Sequence, residues 1–292
     1  MTDQEKQSQP DNAPLGNKSA HDDDFVEETR MLSMGEDEVE EETVEEGKKV
    51  RRKGIYLLPN LFTTGALFSG FYAVVSAMNG VFDNAAIAIF ISMILDGLDG
   101  RVARMTNTQS EFGAEYDSLA DMVSFGVAPA LVAFSWMLGD IGKIGWFAAF
   151  IYVAGAALRL ARFNTQIGST DKRWFIGLPS PAAAAVIAGI VWTFSDMNLV
   201  DTSYKYALAF IVAAVGVLMV SNVRYNSFKE IDLKGRVPFL TMFVIALIFV
   251  VIAYDPATVL LLIFVGYGAS GPLRALLKGK DKAKDQGDKP AA

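Results

Sequence analysis

Residues 96–121 read DGLDGRVARMTNTQSEFGAEYDSLAD and join two long apolar stretches of the chain. Asp96, Asp99, Asp117 and Asp121 therefore fall within or at the ends of segments long enough to cross a bilayer. One carboxylate at the centre of a membrane helix costs about 2.5 to 3.5 kcal/mol on insertion scales. Inserting four such carboxylates without a partner would cost several times as much free energy. The sequence therefore indicates that positive charge compensates them. A bound divalent cation is the simplest one.

The spacing of these four aspartates predicts one shared site. Asp96 and Asp99 are three residues apart, and Asp117 and Asp121 are four apart. Either spacing places two side chains on one face of a helix, one turn from each other. Because the connection between the two stretches is short, the helices are expected to be antiparallel neighbours whose aspartate pairs face one another.

The residue inventory restricts the chemistry to oxygen ligands. The chain has no cysteine, and its one histidine, His21, lies near the amino terminus. This excludes disulfides, thiol nucleophiles, zinc sites and a histidine-based triad. A metal bound by carboxylates alone is expected to be Mg²⁺, Mn²⁺ or Ca²⁺.

Charge and hydropathy divide the chain into four regions. Residues 1–47 carry sixteen acidic residues against three basic ones, which predicts a disordered acidic leader in the cytoplasm. Residues 48–57 form a basic segment expected to contact anionic membrane lipids. Residues 58–277 are the predicted transmembrane domain, and residues 278–292 are a Lys-rich tail expected to be disordered.

The predicted fold class is all-α, a polytopic integral membrane helix bundle with about eight transmembrane helices. Each apolar segment has roughly the 17 to 25 residues needed to cross the hydrocarbon layer as a helix. The expected spans are 58–79, 83–105, 113–137, 143–165, 180–196, 203–221, 237–253 and 256–277.

The distribution of basic residues predicts the orientation. On this division, 21 Lys and Arg residues flank the spans on one side, and only Lys143 and Lys205 lie on the other. The positive-inside rule then places both termini in the cytoplasm and requires an even number of spans. We expect a multi-pass protein of the cell membrane whose aspartates face the cytoplasm.

Small residues recur within the predicted spans and allow close approach of helices. We assign them to packing within the bundle in preference to a dedicated dimer face, and we expect the chain to form a homodimer. No nucleic-acid partner is expected.

The aspartate motif resembles a known signature. The pattern DxxDGxxARx₈GxxxDxxxD, which runs from Asp96 to Asp121, matches that of the CDP-alcohol phosphotransferase family, with eight fixed identities across 26 positions. The resemblance implies an integral membrane enzyme that transfers a phosphatidyl or similar group from a CDP-alcohol to an acceptor alcohol and releases CMP. It implies that Asp96, Asp99 and Asp117 ligate Mg²⁺ or Mn²⁺, with two ions expected. Asp121 would be the general base or a further ligand.

The same resemblance assigns a nucleotide site. Gly100 and Gly113 would flank the nucleotide, and Arg104 would hold phosphate. The segment LPNLFT at 58–63 opens the first span as in many members of the family, which places Asn60 and Thr63 near the nucleotide.

Two further segments resemble the branch of the family whose acceptor is L-serine. They are RLARFN at 159–164 and GLPSPAA at 177–183. This implies CDP-diacylglycerol as donor, with CMP as a product. Arg159 and Arg162 could receive the serine carboxylate, and Asn164 and Ser180 could satisfy its ammonium group. The positive-inside rule alone also accounts for both arginines.

Two other functions remain open from the sequence. A sister enzyme would use glycerol 3-phosphate or an inositol compound as acceptor. A divalent-cation transporter would use the aspartates as a transport site, but such sites tend to lie at the bilayer midplane between inverted repeats. The aspartate pattern does not recur in the second half of the chain, which favours an enzyme.

Overall fold

The computed structural model describes residues 42–45, 48–51, 57–106, 110–165, 174–197, 202–226 and 239–287. The chain divides into two units, residues 1–54 and residues 55–292. The described part is mostly helical, as predicted. It also contains four strands of three or four residues that the all-α prediction did not include.

In the first unit, a short hairpin pairs acidic with basic sequence. Strand β1 (Glu42–Glu45) runs antiparallel to β2 (Lys48–Arg51), with Glu42 opposite Arg51 and Glu45 opposite Lys48. Opposite charges at facing positions favour such pairing. Strand β1 lies at the end of the leader that we predicted to be disordered, and residues 1–41 of that leader lie outside the described residues.

The second unit consists of long helices, whose order along the chain is as follows. They are α1 (Leu57–Met78), α2 (Phe82–Thr106), α3 (Glu111–Asp121), a π-helical segment (Met122–Val127), α4 (Ala128–Trp136), α5 (Lys143–Thr165), α6 (Ser180–Asp196), α7 (Thr202–Val220), α8 (Phe239–Tyr254) and α9 (Pro256–Gly287). A 3₁₀ turn (Leu138–Ile141) precedes α5. Strands β3 (Trp174–Ile176) and β4 (Arg224–Asn226) pair antiparallel.

Helices occupy all eight positions predicted from hydropathy. Their ends differ from the predicted ones by at most two residues, except that α9 continues to Gly287, into the tail predicted to be disordered. Five of the described helical segments are long and apolar enough to cross a membrane. The protein is therefore a multi-pass membrane protein. Of the remaining three, α2 carries one charge at its start and four more between residues 96 and 104, whereas α6 and α8 have only 17 and 16 residues.

Helix α6 lies at the centre of the bundle. Ala182 and Ala183 belong to one core with residues of α5 and α7. Ala184 and Ala185 belong to a second core with residues of α1 and α2. Small side chains let neighbouring helices approach closely on every side. Because protein surrounds α6, it does not need the larger apolar side chains of a lipid-facing helix.

The helical run from Glu111 to Trp136 changes its winding directly after Asp121. Met122–Val127 is π-helical, and its polar groups are tied to neighbouring helices. The Ser124 hydroxyl donates to the Ala66 carbonyl at 3.1 Å, and the buried Tyr152 hydroxyl donates to the Phe125 carbonyl at 2.9 Å. Single-turn π segments often occur at functional sites, and this one fixes the helix on which Asp117 and Asp121 lie.

A close approach of α5 and α7 gives the first testable prediction. A Cβ added at Gly155 would lie 2.3 Å from the carbonyl oxygen of Gly216, so Gly155→Ala must separate the two helices. We expect this substitution to destabilise the protein in detergent by about 1 to 3 kcal/mol, read as a lower midpoint of thermal unfolding. Gly266→Ala is the matched control, because a Cβ there meets nothing within 4 Å. Equal midpoints for the two variants would contradict the packing.

Candidate active site

Three of the four predicted aspartates converge between α2 and α3. Asp96, Asp99 and Asp117 each offer a carboxylate oxygen, and these oxygens all lie within 4.8 Å of one another. Asp99 is buried and the other two are half-buried. Three converging carboxylates form an arrangement that could hold a hard divalent cation, because Mg²⁺ and related ions prefer oxygen ligands. The antiparallel pairing expected from the sequence brings them together.

Asp121 lies one turn beyond Asp117 and adjoins this group without being part of it. Its carboxyl group is within hydrogen-bonding reach of the Asp96 carboxyl group, and both interact electrostatically with Arg159. This position differs from that of the other three and is compatible with a different role.

Two neighbouring groups fix the orientation of Asp99. The Thr63 hydroxyl of α1 donates to Asp99 Oδ2 at 2.8 Å, and the backbone N–H of Gly100 donates to Asp99 Oδ1. The Thr63 hydroxyl also lies 3.1 Å from the Pro59 carbonyl oxygen, and its side chain is buried. We expected Thr63 near the nucleotide from family resemblance. In the structure, Thr63 supports a candidate metal ligand directly.

The other residues expected to bind nucleotide lie around the same opening. A Cβ added at Gly113 would be 3.5 Å from Asn60 Oδ1, so α3 and α1 are close at that point. The Gly113 N–H donates to Ser110 Oγ at 2.9 Å, which caps α3. Arg104 is exposed, one turn after Gly100, and interacts electrostatically with Asp99.

The residues expected to bind the acceptor approach the aspartates from α5 and α6. Arg159 donates from Nη1 to Ser180 Oγ at 2.6 Å, and Ser180 at the start of α6 is fully buried. Asn164 donates from Nδ2 to Ser118 Oγ at 3.0 Å. Ser118 directly follows Asp117 on α3, so this hydrogen bond connects the end of α5 to the helix that carries one of the three converging aspartates.

Arg162 differs from the other three residues expected at the acceptor site. Its side chain is half-buried and makes no hydrogen bond or ion pair with another described side chain. Its carbonyl accepts a hydrogen bond from the Thr165 hydroxyl. Among the described residues, the structure therefore brings Arg159, Asn164 and Ser180 into the network around the aspartates and leaves Arg162 outside it.

Two polar residues around the site were not identified from the sequence. Ser118 contacts Asn164, and the buried Tyr152 of α5 donates to the Phe125 carbonyl. Polar side chains within apolar helices were the available signal, since they are rare there unless they have partners. Ser118 and Asn164 are 46 residues apart, and no local pattern specifies such a pair.

Comparison with known proteins confirms the family that the motif suggested. The profile of the CDP-alcohol phosphatidyltransferase family matches residues 56–221, which include α1 to α7 and the whole aspartate motif. The chain belongs to this family.

Among its curated relatives are three enzymes called CDP-diacylglycerol–serine O-phosphatidyltransferase. The protein from Helicobacter pylori (strain ATCC 700392 / 26695) is 43% identical over 197 residues, which cover 67% of this chain and 83% of the relative. The one from Mycobacterium bovis is 32% identical over 228 residues, with coverage of 76% and 79%. The Bacillus subtilis protein is 35% identical over 176 residues, with coverage of 59% and 92%.

Proposed function

We propose that the protein transfers the phosphatidyl group of CDP-diacylglycerol to the hydroxyl group of L-serine, giving phosphatidylserine and CMP. The observation that carries this proposal is the convergence of Asp96, Asp99 and Asp117 between α2 and α3. It occurs in a chain of the CDP-alcohol phosphatidyltransferase family, and the relatives described above are named for serine and CDP-diacylglycerol.

The three converging carboxylates support Mg²⁺ or Mn²⁺ as the cofactor. We propose that two such ions bind there. All the candidate ligands are oxygens, and the Thr63 hydroxyl and the Gly100 N–H fix the orientation of Asp99. Bound there, such ions would neutralise the diphosphate of the donor and stabilise the charge on departing CMP.

The chain's own residues have separate roles in the proposed reaction. The serine oxygen forms a bond to the phosphorus of the phosphatidyl group, and the bond from that phosphorus to the CMP oxygen breaks. Asp121 accepts the hydroxyl proton, a role worth typically about 10² to 10⁴ in rate. Arg104 would hold phosphate, and the nucleotide would lie against Asn60, Gly100 and Gly113.

The acceptor would bind between α5, α6 and the aspartates. Arg159 supplies a fixed cation for the serine carboxylate, and Ser180 holds that guanidinium from one side. Asn164 and Ser180 offer polar atoms to the ammonium group. Arg162 remains a candidate for the carboxylate through movement of its long side chain.

The basic residues support an orientation with both termini in the cytoplasm and the site open to the cytoplasmic side of the cell membrane. All eight predicted spans would then cross the membrane. Lys205, one of two basic residues on the proposed outer side, pairs with Asp140 at 2.7 Å.

We also propose that the basic segment 48–57 contacts anionic lipids. We propose further that the protein is a homodimer, and cross-linking in membranes would test this oligomeric state.

One assay tests the proposed reaction. Purified protein in detergent is given CDP-diacylglycerol and labelled serine, with Mg²⁺, with Mn²⁺ or with a chelator. We expect labelled phosphatidylserine and CMP in equal amounts, and neither product in the chelator arm. Transfer to glycerol 3-phosphate or an inositol compound, with none to serine, would contradict the proposed acceptor and identify a sister activity.

Truncation of Arg159 should separate acceptor binding from donor binding. Arg159→Ala removes the buried cation, and we expect the KM for serine to rise by roughly 10-fold to 100-fold, since hydrogen bonds to charged groups contribute about 1.5 to 3 kcal/mol. The KM for CDP-diacylglycerol should change far less. Arg162→Ala is the comparison on the same helix, and we expect a smaller rise in the KM for serine because the Arg162 side chain lies outside the network around the aspartates. An equal rise in both KM values for Arg159→Ala would remove the reason for placing serine there.

A further inference from the structure

The π-helical segment (Met122–Val127) begins directly after Asp121 and separates α3 from α4. The Ala128 N–H donates to the Val123 carbonyl, five residues earlier, which is the hydrogen bond of a π turn. Such a turn holds roughly one residue more than an α turn. Because each residue of an α-helix rotates the chain by about 100°, α3 faces a different direction from the one that a continuous α-helix would give it. The segment therefore helps to set the direction of Asp121 relative to α4.

The Tyr152 hydroxyl fixes this segment to α5. It donates to the Phe125 carbonyl at 2.9 Å, and both residues are fully buried. A Cβ added at the next residue, Gly126, would lie 3.2 Å from the Ala156 Cβ, so the segment and α5 are in close contact there. Tyr152 is itself confined by α7, since a Cβ added at Gly216 would lie 2.7 Å from the Tyr152 Cα. Tyr152 therefore has little room to move away from the π-helical segment.

Ser124 fixes the same segment to α1. Its buried hydroxyl donates to the Ala66 carbonyl at 3.1 Å. A Cβ added at Gly70 would lie 2.6 Å from Ser124 Oγ and 2.8 Å from the Ser124 Cα, so α1 passes directly against the segment. Hydrogen bonds to two different helices therefore hold the π turn, and both lie within four residues of Asp121.

The two aspartates of α3 differ in how they depend on the π turn. Asp117 lies next to Ser118, whose hydroxyl accepts from Asn164 Nδ2 at 3.0 Å, so α5 holds that turn of α3 directly. Asp121 directly precedes the π-helical segment. A shift of the segment should therefore move Asp121 more than Asp117 and leave the three converging carboxylates in place.

We propose that Tyr152 is a positioning residue for Asp121: its hydroxyl holds the π turn so that the Asp121 carboxylate reaches the serine hydroxyl. Ser124 shares this role from α1. The inference rests on the proposed function, because it takes Asp121 as the general base. A general base must be within hydrogen-bonding reach of the proton, and a misplacement of about 1 Å can cost roughly 10²-fold in rate. Loss of the Tyr152 hydroxyl should therefore slow the chemical step without weakening the binding of either substrate.

The test compares kcat, both KM values and Mn²⁺ affinity in matched variants. Tyr152→Phe and Ser124→Ala each remove one hydroxyl that holds the π turn. We expect kcat to fall by roughly 5-fold to 30-fold in each, with both KM values and the Mn²⁺ affinity within about 2-fold of wild type. Ser69→Ala is the matched control, because the buried Ser69 hydroxyl donates to the Ala88 carbonyl at 2.8 Å and joins α1 to α2 instead. An unchanged kcat in Tyr152→Phe, or an equal loss in Ser69→Ala, would overturn the inference.

A double variant tests whether Tyr152 acts through Asp121. In Asp121→Asn the base is already absent, so adding Tyr152→Phe should lower the residual kcat by less than about 2-fold. The same fold loss in both backgrounds would indicate a general effect on packing and overturn the inference. If the wild-type protein did not use serine at all, the proposed function would fail and this inference with it. Wild-type turnover with an unchanged kcat in Tyr152→Phe overturns the inference alone.

Discussion

Asp99→Asn is expected to lower the rate of CMP release by roughly 10³-fold, comparable to removal of a major electrostatic group from an active site. Asparagine has nearly the same shape: its amide oxygen can accept from the Gly100 N–H, and its amide nitrogen can donate to the Thr63 hydroxyl, which then donates to the Pro59 carbonyl. The fold should therefore persist. What is lost is the negative charge of the most buried of the three converging carboxylates. The measurement is CMP release by purified protein at saturating Mn²⁺.

Glu115→Gln is the matched control for this substitution. Glu115 is an exposed carboxylate on α3, two residues before Asp117, so the change removes the same charge from the same region. We expect near-normal turnover. If Asp99→Asn and Glu115→Gln had similar activities, Asp99 would not be a ligand of the catalytic metal. If both variants were inactive, the net charge near the membrane surface would matter more than the convergence of the three carboxylates.

Asp121→Asn is expected to lower kcat by about 10² to 10⁴-fold, as for the loss of a general base, while binding of Mn²⁺ and CDP-diacylglycerol persists. The reason is its position: Asp121 is within hydrogen-bonding reach of Asp96 but lies outside the three carboxylates that converge. The measurement combines single-turnover kinetics with Mn²⁺ titration of the same preparation. This separates a base from a ligand, which the family resemblance leaves open.

Asp121→Glu provides the companion variant. It restores a carboxylate but moves it by one methylene, so we expect activity between those of wild type and Asp121→Asn, because general-base catalysis requires hydrogen-bonding reach to the attacking hydroxyl. A loss of Mn²⁺ affinity in Asp121→Asn as large as that in Asp99→Asn would contradict the assignment and make Asp121 a ligand.

The helices could be predicted from the sequence because each span is bounded by charges or turn residues. Hydropathy alone located α1 and α5 to within one residue. The aspartate site could also be predicted, since spacings of three and four residues specify the helix face, and a short connection specifies which helices are neighbours. Both signals are local in the chain.

What could not be predicted depends on contacts between distant segments. Thr63 and Asp99 are 36 residues apart, and Ser118 and Asn164 are 46 residues apart. Neither pair leaves a periodic trace in the sequence. The central position of α6 was missed for a related reason: its alanines give a weak hydropathy signal because their role is close packing against protein on all sides.

The most direct test of the central claim is anomalous diffraction from crystals of the purified protein soaked in Mn²⁺. The account predicts an anomalous peak between α2 and α3, within coordination distance of carboxylate oxygens of Asp96, Asp99 and Asp117, and its loss in Asp99→Asn crystals. A peak elsewhere in the bundle, or one between the helices that persists unchanged in Asp99→Asn, would contradict it.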